Sequence, residues 1–171
     1  LERRGNPIPL SSVMVRRACL DRVGCFDEAL PRSADYDLWL RVARVFAFAC
    51  LEQPLALYRW HGQNMSAEPS GRLHAHLVSY RKLLSDPGCR ALKGLLRRRM
   101  AREHYELGRV YRDRQEYLRA AQCFVQAVAT DPWIGWQLRQ YHPRLTPAVP
   151  LLKPYLAIGY CLLQGFRHAY R

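Results

Sequence analysis

The sequence predicts an α/β segment over residues 1–66 followed by an all-helical extension over residues 67–171. Three observations carry that division. Apolar runs that read as strands alternate with short helices before residue 62, and residues 62–71 are nearly all turn formers. Beyond them the apolar spacing is helical throughout.

In chain order, Asn6-Pro7-Ile8-Pro9 reads as loop, since each proline pushes its predecessor out of the helical region. Leu10–Val15 reads as a short buried strand, and Arg16–Val23 as a helix ended by Gly24 at its C′ position. Ser33 or Asp35 caps the next helix, which runs to about Phe46 on Leu38, Val42 and Val45/Phe46. Phe48–Leu51 and Leu55–Tyr58 read as two strands around Gln53-Pro54. In the extension, His74–Leu84 is a helix stopped by Asp86-Pro87-Gly88, and a second covers roughly Arg90–Arg112.

Leu107-Gly108, Tyr111, Tyr117, Ala120, Phe124, Ala127 and Pro132 match the tetratricopeptide pattern over residues 101–134. In that pattern small residues let two helices approach while aromatic rings fill the groove. One such repeat leaves an apolar face to cover. Leu151 to Tyr170 is the helix expected to pack on it, with an interface-lying helix as the alternative reading.

Charge is uneven. Residues 1–66 carry nine Lys/Arg against seven Asp/Glu, whereas residues 67–171 carry eighteen against seven, a net of +11. Such a surplus fits solvated helix faces or an anionic partner, and peripheral contact with an anionic membrane is one expectation. The cluster Arg97-Arg98-Arg99 with Lys93 and Arg102 spreads around a helix, and no nucleic-acid motif accompanies it, so no nucleic acid is expected. The six cysteines form no Cys-x-x-Cys pair, which argues against a zinc ribbon or disulfide framework and for a reducing, cytoplasmic setting.

The chemistry lies in three ordered blocks: Val23-Gly24-Cys25-Phe26-Asp27-Glu28, then Asp35-Tyr36-Asp37-Leu38-Trp39-Leu40-Arg41, then Tyr58-Arg59-Trp60-His61. Carboxylates and an imidazole are groups that deprotonate a hydroxyl or hold a divalent metal. Together the blocks resemble the second half of a family-2 glycosyltransferase of the GT-A fold, over roughly residues 5–66. Cys25 stands where that pattern usually has a second glycine, and Ala34 where it usually has the first member of an acidic pair. Phe26 is read as a core plug of the turn.

The resemblance implies a partial GT-A domain, its acceptor half, over residues 1–66. It places Asp35 at the catalytic-base position and His61 at a metal-ligand position. It also implies a divalent metal, Mg²⁺ or Mn²⁺, with most ligands in a missing N-terminal half, a nucleotide-sugar donor, and a glycan or lipid-linked acceptor. Arg59 is a candidate phosphate donor or an exposed strand residue. Asp37 is a candidate substrate contact or the i+4 partner of Arg41, and Trp39 a core residue or sugar platform.

The expectation is therefore a fragment of an inverting glycosyltransferase, inactive by itself, in the cytoplasm or at the inner face of the membrane. The rival is a non-catalytic helical protein-interaction module.

Overall fold

The computed structural model describes residues 6–57, 59, 68–139 and 148–169, of which residues 139, 148–151 and 166–169 are described by backbone alone. The helices are α1 (Arg17–Val23), α2 (Ala34–Val42), α3 (Pro69–Ser85), α4 (Lys93–Asp113), α5 (Tyr117–Thr130), α6 (Ile134–Arg139) and α7 (Ala148–Ala169). Short 3₁₀ helices occupy Leu10–Ser12 and Pro87–Leu92. The chain divides within α3 into Leu1–His76 and Leu77–Arg171.

No strand occurs among the described residues, which corrects the expected α/β class and with it the partial GT-A fold. Leu10–Ser12 is a 3₁₀ turn without a buried residue. Residues 48–57 carry no regular structure, and Phe48, Leu51, Leu55 and Leu57 are exposed. The reason is pairing. An extended segment leaves its N–H and C=O groups unmatched unless a neighbouring strand takes them, and no such neighbour lies among the described residues. Nor is an apolar face buried there to offset the cost of ordering.

In the first unit, α1 ends at Gly24, whose φ of 82° suits a residue without Cβ. α2 buries Leu38, Trp39 and Val42, with Ile8, Val13, Leu20, Val23 and Phe46 packed against them. α2 stops at Val42, one turn short of the expected end, although the Phe46 amide still donates to the Val42 carbonyl. α3 starts at Pro69, where a missing N–H costs nothing. The two carboxylate oxygens of Glu68 accept from the Ser70 and Gly71 amides at 2.9 and 3.0 Å and so cap it. His76, near the middle of α3, stacks on Tyr36 of α2 with ring centroids 4.3 Å apart.

In the second unit, Asp86 caps the 3₁₀ helix by accepting from the Gly88 amide at 2.8 Å. A connection of Arg114–Glu116 then folds α5 back antiparallel on α4. Gln115 adopts φ 63°, and its amide bonds to the Arg112 carbonyl while that of Glu116 bonds to the Tyr111 carbonyl. These paired bonds close the helix end as a Schellman motif, with glutamine at the position that favours glycine.

Gly108 lies against the Phe124 ring, and Ala101, Ala120 and Phe124 are fully buried. Tyr111 and Tyr117, expected inside, are only half-buried at the edge of this core. α7 packs on α5 and α6, with Cys161 and Pro154 inward and Leu118 against Gly165. Burial pushes the Cys123 thiol up to about 11 and raises that of Cys161.

Candidate functional site

The candidate site is built on α2. Its cap residue, Ser33, has φ 54° and makes no side-chain cap bond. Asp35, at the second helical position, supplies what Ser33 does not. Its Oδ1 accepts from the Tyr36 amide at 2.9 Å, satisfying one of the donors left open at a helix start. Its Oδ2 accepts from the Asn6 side-chain amide at 2.7 Å, and Asn6 Oδ1 in turn accepts from the Ile8 amide at 3.1 Å. Asp35 is half-buried, so the carboxylate is oriented by two donors while retaining access to solvent. Each carboxylate oxygen carries two lone pairs, so neither bond exhausts its capacity to accept a proton.

Asp37 does different work. It is 4 % exposed and accepts from Arg41 Nε at 2.9 Å, the i+4 pair expected from sequence. Arg41 then spreads over the turn after α1. Its Nη1 donates to the carbonyls of Val23 and, at 3.3 Å, Gly24, and its Nη2 donates to that of Cys25 at 2.7 Å. One guanidinium thus ties the glycine block to the Asp-Tyr-Asp block, eighteen residues along the chain. The planar fork of five donors makes Arg suited to this and Lys unsuited.

Trp39 is 5 % exposed in the α2 core, so its ring offers no open platform for a sugar. Its Nε1–H has no hydrogen-bond partner among the described residues. Phe26, expected as a core plug, is 46 % exposed. The turn is held through its carbonyls by Arg41, which removes the need for an aromatic anchor. Arg59 is exposed and lies in no strand. His61, the expected metal ligand, lies outside the described residues. Among the described residues no group of three or more His, Cys, Asp or Glu is placed to hold a metal ion.

Sequence reasoning missed two contributors. Asn6 reads as loop, and its bond to Asp35 spans twenty-nine residues, a separation that local spacing does not encode. The fan of Arg41 left a fainter signal: an arginine i+4 from a buried carboxylate, behind a glycine turn.

In the second unit a cavity of about 340 Å³ is lined by Arg98, Asp131, Trp133, Trp136 and Gln137. Asp131 accepts there from the Trp133 amide at 2.9 Å and from the Gln137 side-chain amide. Both bonds close the α5–α6 turn.

No known protein-family model matches this chain, and neither curated proteins nor solved structures provide a match. All six cysteines are free, Cys19, Cys89, Cys123 and Cys161 buried and Cys25 and Cys50 exposed. No helix among the described residues is long and apolar enough to cross a membrane.

Proposed function

We propose that this chain carries the acceptor-activating part of a glycosyl transfer from a nucleotide sugar to a hydroxyl of a glycan or lipid-linked acceptor. The observation that carries the reading is the Asp35 carboxylate, held at the start of α2 by Asn6 and the Tyr36 amide, inside an ordered set of blocks that resembles family-2 glycosyltransferases. Asp35 takes the acceptor proton as the hydroxyl oxygen attacks the anomeric carbon, and the bond to the departing nucleoside diphosphate breaks. Attack from the face opposite the leaving group inverts the configuration, in keeping with the resemblance.

Asp37 and Arg41 act as positioning residues. They lock the Gly24 turn to α2, so the start of α2 and the preceding loop move as one piece. A nucleotide-sugar site and its metal lie with other parts of the enzyme in this reading, and residues 1–171 alone have no turnover. The free cysteines support a cytoplasmic setting.

The test is Asp35→Asn in the full-length polypeptide. Turnover is expected to fall by about 10³-fold or more while donor binding persists, because the base acts on the acceptor alone. Near-normal turnover would reduce Asp35 to a helix-start carboxylate.

A further inference from the structure

We infer that the outward face of α7 is a lipid-contacting surface that seats this chain on an anionic membrane. α7 turns Pro154, Cys161 and Gly165 into the helical unit. At 3.6 residues per turn, Leu152, Leu156, Gly159 and Leu163 fall on the opposite side. The three leucines are 53, 64 and 54 % exposed. Tyr155 and Tyr160 flank the stripe, and no charged residue occurs from Pro154 to Phe166. A helix apolar on both faces needs two apolar partners. α5 and α6 cover one face, and among the described residues no protein covers the other.

Charge selects the occupant. From Pro132 to Arg171 the chain has five Lys/Arg and not one Asp or Glu. A second copy seated on the same stripe would set this stretch, with its five cations and no carboxylate side chain, against itself, since a twofold interface joins like patches. Anionic headgroups oppose them with the complementary sign, and each basic residue near such a surface adds to the attraction.

Aromatic placement agrees. Trp133 and Trp136 are both exposed, three residues apart, and the Tyr155 hydroxyl donates to the Pro132 carbonyl at 3.1 Å. That bond joins Tyr155, at the flank of the stripe, to the turn that carries Trp133, and rings with a polar edge suit headgroup depth. With no described helix able to cross a bilayer, α7 lies in the plane of the interface. The inference stands on α7 and does not depend on Asp35.

Vesicle co-sedimentation of residues 1–171 tests it, with phosphatidylcholine alone and with phosphatidylcholine mixed with phosphatidylserine. Binding is expected only to the mixed vesicles and is expected to weaken as salt rises. The neutral double variant Leu156→Gln/Leu163→Gln, its helicity checked by circular dichroism, should lose about a hundredfold in partitioning, since burying each leucine is worth roughly tenfold or more. Equal binding to both vesicles, none to either, or an unchanged double variant would overturn the inference. So would a lipid-free dimer, seen by light scattering, that the double variant dissociates. The vesicle comparison needs no variant, so it stands even if the double variant folds poorly.

Discussion

A Cβ added at Gly108 would sit 2.7 Å from Phe124 Cε1, 2.8 Å from Cδ1 and 3.0 Å from Cζ. The ring cannot yield cheaply, because Phe124 is fully buried and the Tyr105 ring lies 5.3 Å away. Overpacking of this kind costs about 1–3 kcal/mol. Replacing a helical glycine by alanine returns about 1 kcal/mol. Gly108→Ala is therefore expected to lower stability by up to about 2 kcal/mol. Gly159, on the open side of α7, has nothing within 4 Å of the added carbon. Gly159→Ala should collect the helix gain undiminished.

The gap between the two variants isolates the packing cost, and at about 4–8 °C per kcal/mol it is readily measured. Thermal and urea unfolding followed by helical circular dichroism is the assay. Adding Phe124→Leu to Gly108→Ala should recover part of the loss in a non-additive way. If Gly108→Ala proved at least as stable as Gly159→Ala, the close approach of α4 and α5 through Gly108 would be refuted.

Three further outcomes are expected. Arg41→Met should destabilise the first unit by about 3 kcal/mol, because it removes the guanidinium beside buried Asp37 and the donor shared by three carbonyls; urea unfolding read from Trp39 fluorescence, with the other tryptophans replaced by Phe, checks this, and a loss under about 0.5 kcal/mol would deny the tie. Native thiol labelling should modify Cys25 and Cys50 while Cys123 and Cys161 stay protected, and stability should be lost as pH rises from 9 towards about 11, since the folded state holds the Cys123 thiol neutral above the pH at which the unfolded chain releases its proton.

Helices with a one-sided apolar rhythm were legible in the sequence. Leu38 and Val42 marked α2, and the set Gly108, Ala120 and Phe124 marked the hairpin, because each states a local period and a partner of matching size. The extended runs were not legible. Leu51, Leu55 and Leu57 spell a strand as well as any, but a strand depends on a neighbour that its own residues do not encode. At the candidate site, the Asp37–Arg41 pair could be read because i and i+4 meet on any helix. The Asn6–Asp35 bond could not, since a contact across twenty-nine residues leaves no trace in local spacing.

The turn that Gln115 closes has a kinetic consequence. It joins α4 and α5 through so short a connection that closing it costs little entropy, and contacts near in sequence form first. The hairpin is thus expected to assemble before α7 has been synthesised, leaving the side of α5 that meets α7 bare. When α7 arrives it carries apolar surface on both sides, and docking covers only one. The last step of folding therefore hands the stickiness of the nascent hairpin to the outside of the finished unit. A bilayer at hand during synthesis would act there as a chaperone, taking up the outward stripe before a second nascent chain could.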